Sequence, residues 1–463
     1  MKSLSVMVCL SLAILIFPPV AQAWSGTGCR VAAAEALRRL FPVLKMAVTE
    51  RCVTRAPEPD ARIGVGNGID VGSLSMNLLG LASAGSPKAD AARTAKRPFV
   101  LFAPTRWRPG SPLPGEWQEN LAYGLFVAAP LVSFGLLMVF MRRVKRSKGP
   151  TGWGRLVVGN TLVLCCLVTP VLLAGETYFR FLYDTTDSLA YTRVSERWEL
   201  RHWRLNNVGC RDNVDWFPTL PEGKRRISFV GDSFTAGHGI SDVEDRFPNL
   251  LRRAHPDWEV HAVAKVGLDT DAEQKLMKKA FARGYQVDQV VLVYCLNDIE
   301  DLMPGQSDAM LRALAVLDHS PWLVRKSYML NLWYHHYRAS RDPYLGNYCF
   351  YVREAYSGPL WEQQEERLKA FRDLIQAHGG RLAVVTFPFL NALGPNYEYR
   401  FVHDKLDRFW RGLGVPHLDL LTVYAGLPPS RVTVNRFDAH PNEYANKLAA
   451  AAIDKWLQGF IGR

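Results

Sequence analysis

A chain of 463 residues with 48% apolar side chains is long enough for two or three domains and rich enough for a sizeable core. Its formal charge of +12 lies largely in the first half, part of it clustered between two apolar runs, and no nucleic-acid-binding signature accompanies it, so nucleic acid is set aside as a partner. None of the 8 cysteines forms a CxxC pair, so neither a zinc ribbon nor a dithiol redox motif is supported.

Residues 1–23 begin with Lys2, continue as an apolar run through Ile16 and Phe17, and end in Ala21-Gln-Ala23. That is the layout of a secretory signal peptide, with an uncleaved first membrane helix as the alternative. Residues 24–118 show no sustained period of 2 or 3.6, apart from a short helix around Arg38, Arg39 and Leu40. Pro57, Pro59 and a Pro-, Gly- and Trp-rich stretch from Arg106 to Pro114 mark them as a poorly structured linker. Export of this segment would permit a Cys29–Cys52 disulfide, which the spacing does not require.

Leu121 to Phe140 and Leu156 to Gly175 are uncharged runs of about twenty residues each, long enough to span a bilayer. Arg142, Arg143, Lys145, Arg146, Lys148 and Arg155 lie between them, with no acidic residue in the cluster. The expected element is a transmembrane hairpin over 119–176 in the cytoplasmic membrane. Basic loops stay cytoplasmic, so both hairpin ends, and everything after Gly175, belong on the extracytoplasmic side.

Residues 177–222 read as a connector containing Asn206 to Asp212, Pro218 and Pro221. From 223 to 463 strand and helix patterns alternate. The expected strands are Arg226–Val230, Glu259–Ala264, Gln289–Tyr294, Arg381–Phe387 and His417–Leu420. The expected helices are Glu244–Arg253, Asp271–Arg283, Trp361–His378, Val402–Gly412 and Asn442–Phe460. This order predicts an α/β, flavodoxin-like three-layer sandwich with a parallel sheet. In the last helix Tyr444, Leu448, Ala452, Trp456 and Phe460 recur at helical spacing and read as a core stripe, with Pro441 placed to open its first turn.

The segment richest in chemical meaning is Ile227-Ser-Phe-Val-Gly-Asp-Ser-Phe-Thr-Ala-Gly-His-Gly239. A buried strand stops at Gly231, and Ser233 follows in a tight turn at the carboxyl end of the strand, where open α/β sheets carry their sites. It is not a Walker loop, because Gly231 and Gly237 are one residue too far apart and no Lys-Ser/Thr follows. A serine nucleophile needs a base and a group to orient that base. Among eleven histidines, His440 in Phe437-Asp-Ala-His-Pro-Asn442 is best placed, with Asp438 beside it. His238 shares the turn of Ser233, where side chains diverge. His335 and His336 fall in a Trp/Tyr-rich stretch and read as packed or surface residues.

Taken together, these blocks resemble the SGNH (GDSL-type) hydrolase family over about residues 205–463. Gly231-Asp232-Ser233 resembles its first block, Gly267 in Val263 to Thr270 its second, Asn297 in Tyr294 to Asp298 its third, and Asp438 with His440 its last. The resemblance implies Ser233 as nucleophile, His440 as base and Asp438 as its orienter. It implies an oxyanion hole made by the N–H groups of Ser233 and Gly267 and the amide of Asn297, with no cofactor and no metal. The last block is Asp-Ala-His where the family usually has Asp-x-x-His, Cys295 stands where a glycine is usual, and no Asn shortly precedes Gly267.

Between Asn297 and Arg381 lies an insertion, densest in aromatics over about 300–360: Trp322, Tyr328, Trp333, Tyr334, Tyr337, Tyr344, Tyr348, Phe350, Tyr351, Tyr356 and Trp361. Most are expected to pack the insertion itself, and some to face a sugar. The reading is a membrane-anchored serine esterase acting on an acylated small molecule or glycan, such as an O-acetylated envelope or exported glycan. An O-acyltransferase of the same fold and a non-catalytic envelope assembly or glycan-binding protein are its rivals.

Overall fold

The two uncharged runs form helices α1 (Glu116–Arg146) and α2 (Trp153–Thr177) in the computed structural model, which describes residues 99–102, 116–147, 149 and 152–461. The expectations for residues 1–23, the helix near Arg38 and the Cys29–Cys52 pair lie outside the described residues. α1 and α2 pack on each other, and Leu125, Leu131, Phe134, Leu156 and Leu164 point outward, exposed. Among the described residues these are the two helices long and apolar enough to cross a membrane. A π-helical turn, Tyr178–Leu182, extends α2, and α3 (Arg193–His202) follows with Thr192 as its N-cap.

The short apolar runs become β1 (Arg225–Gly231), β2 (Trp258–Ala264), β3 (Gln289–Cys295), β4 (Arg381–Phe387) and β5 (His417–Asp419). All pair in parallel, in the order β2-β1-β3-β4-β5, the flavodoxin-like winding. Every residue of β3 is buried, as are all but the first of β1 and β4, which requires that both faces of the sheet be covered. The cover includes α5 (Phe247–Ala254), α6 (Thr270–Phe281), α11 (Leu360–Ala377), α12 (Arg400–Gly412) and α13 (Glu443–Ile461). α5 packs with α13, and α6 with α11. Before α5, residues Ser233–Ala236 make a four-residue turn, α4.

Helix α5 does not begin at Glu244. Val243–Asp245 is a separate 3₁₀ turn, and α5 opens at Phe247 with Pro248 in its first turn, where its missing N–H costs no hydrogen bond. The stripe of α13 is also displaced by one residue. Ala445, Ala449, Ile453 and Leu457 are fully buried, whereas Leu448, Ala452, Trp456 and Phe460 pack on the flank and Tyr444 is exposed. Small Ala445 and Ala449 let the helix approach closely, so the larger residues fall to its side. Pro441 belongs to a strand, and Asn442 caps α13 by accepting from Ala445 N at 3.0 Å.

The insertion is helical: α7 (Gln306–His319), α8 (Trp322–Lys326), α9 (Tyr328–Arg341) and α10 (Tyr348–Ser357). Tyr328, Tyr344, Tyr356 and Trp361 are buried, while Trp333 and Tyr337 stay exposed. α8 leans on α1, and α9 on α2. The join is polar. Fully buried Glu176 accepts from Ser327 Oγ (2.6 Å), Tyr328 N (3.0 Å) and Met329 N (3.0 Å), and pairs with Arg180 at 2.9 Å. One carboxylate thus answers both the free N–H groups at the start of α9 and a neighbouring guanidinium.

Segments on either side of the hairpin enter the same core as the sheet. Leu101 and Phe102 pack there, donating backbone N–H groups to Val208 O, and so do Val208, Cys210 and Trp216 of the connector.

Candidate active site

The register of the sheet decides what meets at its end. Gly231 lies opposite Ala264 of β2 and Val293 of β3. Ser233, Gly267 and Asn297 therefore leave three neighbouring strands at the same edge. Gly231 must be glycine, because a Cβ there would run into Thr235 Oγ1 and lie 2.9 Å from Val293 O. Asp232 is the N-cap of α4, its Oδ1 accepting from Phe234 N at 2.9 Å, and this turn presents Ser233.

His440 arrives from the other end of the chain, on an antiparallel pair of β6 (Thr433–Asn435) and β7 (Asp438–Pro441). Alternate residues of a strand share a face. Asp438 and His440 are alternate and both buried, with Ala439 between them half-buried. That explains how Asp-Ala-His brings the two side chains together with one residue fewer: on a strand, the i and i+2 side chains lie side by side. His440 Nδ1 is 2.5 Å from Asp438 Oδ1, and His440 Nε2 is 2.7 Å from Ser233 Oγ. Because a carboxylate only accepts, the imidazole proton belongs on Nδ1, and Ser233 donates its hydroxyl to Nε2.

Charges reinforce this arrangement. Burial alone would lower the pKa of His440. The charge and hydrogen bond of Asp438, with the charges of Asp232 and Asp187, outweigh it and hold the imidazole above its ordinary 6.5. Burial alone would raise Asp438; the charges of His440 and His238 and hydrogen bonds from His440 and Thr186 keep its carboxyl far below the usual range. Burial raises Asp232, partly offset by its hydrogen bond from Phe234.

Of the five residues singled out from sequence, Ser233, His440 and Asp438 form one hydrogen-bonded chain. Asn297 joins loosely: its Nδ2 and Ser233 Oγ each lie 3.4 Å from Asp232 Oδ2. Gly267 occupies an exposed turn with φ +76° and nothing within 4 Å of where a Cβ would be. Among the described residues it makes no hydrogen bond with the other four.

Three contributors escaped the sequence reading. His238 does not bond Ser233 through its side chain; Gly237, in the left-handed region, turns the chain, and His238 packs beneath His440 with ring centroids 4.6 Å apart. Its Nε2 donates to Asp187 O at 3.1 Å and sits 3.5 Å from Asp438 Oδ2. Burial lowers its pKa to about 4, so it is neutral at pH 7. The other two, Thr186 and Asp187, come from the connector, and Thr186 Oγ1 donates to Asp438 Oδ2. A histidine set between two glycines, Gly237 and Gly239, was the one available signal. His336 stacks on Phe437 at 4.3 Å, walling the loop that carries Asp438, and His335 is buried in α9.

His238, Asp438 and His440 place three ligand atoms within 4.8 Å of one another, close enough for a metal ion. Both ring nitrogens of His440 are already engaged, so a cation there would displace the bonds to Ser233 and Asp438. A cavity of about 780 Å³ lies between α7 and α9, lined in part by Asp187, Tyr191, Arg312, His335, His336 and Tyr337.

No protein-family model matches the chain, and no curated protein matches it. Among solved structures, it is similar to a lipolytic protein of the G-D-S-L family from Desulfitobacterium hafniense, at 12% identity and TM-score 0.31, over 50% of this chain and 100% of that one. A lipolytic G-D-S-L family protein from Veillonella parvula matches at 12% identity and TM-score 0.31, over 52% and 99%. A two-domain esterase active on acetylated mannans matches at 14% identity and TM-score 0.29, over 51% and 50%. Likeness this slight carries nothing about chemistry, which rests on the side chains above.

Proposed function

We propose that this chain is a serine esterase of SGNH type, anchored by the α1–α2 hairpin with its sheet domain on the extracytoplasmic side. The observation that carries it is the continuous bond path Ser233 Oγ, His440 Nε2, His440 Nδ1, Asp438 Oδ1 at the carboxyl edge of a parallel sheet. Ser233 Oγ attacks the ester carbonyl while His440 Nε2 takes its proton, and Asp438 stabilises the imidazolium. Developing charge on the carbonyl oxygen is met by the N–H groups of Ser233 and Gly267 and by Asn297 Nδ2. Collapse expels the alcohol, which receives the proton from His440. Water then attacks the acyl-enzyme, His440 takes the water's proton, and the acid leaves as Ser233 regains a proton.

The exposed apolar residues of α1 and α2 support the membrane anchor, and the basic residues Arg142, Arg143, Lys145 and Arg146 at the end of α1 support its orientation. That side of the membrane holds envelope and exported glycans. The exposed rings of Trp333 and Tyr337 suit a sugar face, so the substrate class is an O-acyl ester, acetyl among them, on such a glycan.

The test uses the full chain in detergent with p-nitrophenyl acetate and a serine-reactive fluorophosphonate, wild type beside Ser233→Ala. Hydrolysis and labelling are both expected, and both are expected to vanish in Ser233→Ala. Labelling with negligible hydrolysis would redirect the reading to acyl transfer onto a glycan hydroxyl. A folded chain that does not label at all would refute it.

A further inference from the structure

The stretch from Tyr183 to Thr192 has neither helix nor strand, yet it is bonded along the loop that carries Asp438. Asn435 Nδ2 donates to Thr185 Oγ1 (2.8 Å) and to Thr186 O (2.9 Å). Ser188 N donates to Phe437 O (2.9 Å), and Ser188 Oγ accepts from Ala439 N (2.9 Å). Thr186 Oγ1 reaches Asp438 Oδ2, and Asp187 O holds His238 Nε2 at 3.1 Å. The stretch is itself fixed, because the Asp187 carboxylate accepts from Thr192 Oγ1 (2.6 Å) and Ser195 Oγ (2.5 Å). Behind it, Arg197 of α3 donates to Phe179 O (3.0 Å), and Arg193 pairs with Glu119 of α1. The hairpin, the connector and the catalytic loop are therefore one bonded series.

Asp438 Oδ2 has two neighbours competing for it: the Thr186 hydroxyl and His238 Nε2, 3.5 Å away. With Oδ2 on Thr186, Oδ1 faces His440 Nδ1 and accepts from His440 N at 3.0 Å. We infer that Thr186 is a positioning residue, whose hydroxyl holds the Asp438 carboxylate facing His440 and so makes the candidate active site depend on the segment that emerges from the membrane hairpin. This rests on the serine-esterase reading. Thr186 touches no reacting atom, and it acts through Asp438.

The test takes the full chain in detergent and compares Thr186→Val, which removes the hydroxyl at nearly constant shape, with Thr186→Ser, which keeps it. Loss of a hydrogen bond to a buried charge predicts a fall in kcat of about ten- to a hundredfold for Thr186→Val. KM is expected to stay within about twofold, and Thr186→Ser to recover most of the rate. Hydrogen–deuterium exchange at the imidazole C2 position, followed by mass spectrometry against pH, reads the His440 midpoint without needing activity. A carboxylate swung toward His238 leaves His440 with less opposing charge, so the midpoint falls in Thr186→Val and returns in Thr186→Ser. Removing the hydroxyl dipole without any swing would instead leave the midpoint unchanged or raise it, and that result overturns the inference. Should Val lower the melting temperature, Thr186→Ala removes the same hydroxyl without a branched side chain and is judged by the same two readouts. If wild-type Ser233 proves unreactive, the esterase reading falls while the His440 midpoint still decides the role of Thr186.

Discussion

Exchanging Asp438 for Asn keeps the side chain's shape and removes its charge. Oδ1 lies 2.5 Å from His440 Nδ1 and 3.0 Å from His440 N, in a site almost closed to solvent. When Ser233 gives up its proton, the imidazolium that forms faces this carboxylate. Two unit charges about 4 Å apart at an effective dielectric of about 20 attract by about 4 kcal/mol. A hydrogen bond to a charged group is worth about 1.5–3 kcal/mol, much of it the same energy seen another way. Taking about 4–6 kcal/mol, at 1.36 kcal/mol per decade, gives a loss of about 10³–10⁴ in kcat. The Asn amide would also donate toward Nδ1 and favour the wrong tautomer, an effect that costs about 10⁴ in triads of this kind. The assay is steady-state hydrolysis of p-nitrophenyl acetate by the full chain, with circular dichroism and melting to show that the variant is folded. If Asp438→Asn kept more than roughly a tenth of wild-type kcat, Asp438 would not be the orienter, and the argument from strand periodicity would fail with it.

The raised His440 value gives the pH profile a definite sign. His440 must be neutral to accept from Ser233, so kcat/KM should fall as pH drops through a midpoint above 6.5, and a limb well below 6.5 would contradict the geometry. The same group acts oppositely on stability. Protonated His440 stabilises the fold fully below its unfolded value near pH 6.5, and that contribution is lost as pH rises through the folded midpoint, which melting of wild type against His440→Gln would read. Asn297→Ala should lower kcat about 10²–10³-fold with little change in KM, whereas an equal rise in KM alone would make Asn297 a ground-state contact. Ser147, beside the basic end of α1, becomes a topology probe as Ser147→Cys. A membrane-impermeant maleimide should label it only in inverted vesicles, and labelling from the outside of intact cells would reverse the proposed orientation.

Much of this architecture was legible because it follows short periods. Strands β1 and β3 are short, mostly apolar runs rich in β-branched and aromatic residues that end at Gly231 and Cys295, too short for a helix of ordinary length and suited to a strand covered on both faces. Ser233 and His440 were legible through their neighbours, a glycine turn in one case and a loop before a helix in the other. The stripe of α13 was misplaced because small alanines, which carry little hydrophobic signal, take the buried face and the aromatics take the flank. Thr186 had no signal. It is a hydroxyl residue in a segment without period, 252 positions from its partner, and only the folded chain brings the two together.

That distance bears on where the functional unit begins. The alternation of strand and helix starts near residue 223, and a boundary there looks natural from the pattern. The sheet, however, does not complete the site. Arg211 donates to Gly237 O and Ile240 O, fixing the chain where it leaves α4. Thr186 and Asp187 hold the two groups that flank His440, and Arg197 binds their segment to the turn that ends α2. On the opposite side Glu176 caps α9, the helix whose His336 stacks on Phe437. The loop bearing Asp438 and His440 is thus gripped from two directions by elements rooted in the hairpin. A chain that needed the hairpin only as a tether would have no reason to bury a carboxylate at its base, paired with Arg180 and bonded to the start of α9. Removing one partner of such a buried pair costs about 3–5 kcal/mol. The placement of Glu176 is better understood as fixing the angle at which the sheet domain, and with it the candidate nucleophile, meets the end of the α1–α2 hairpin.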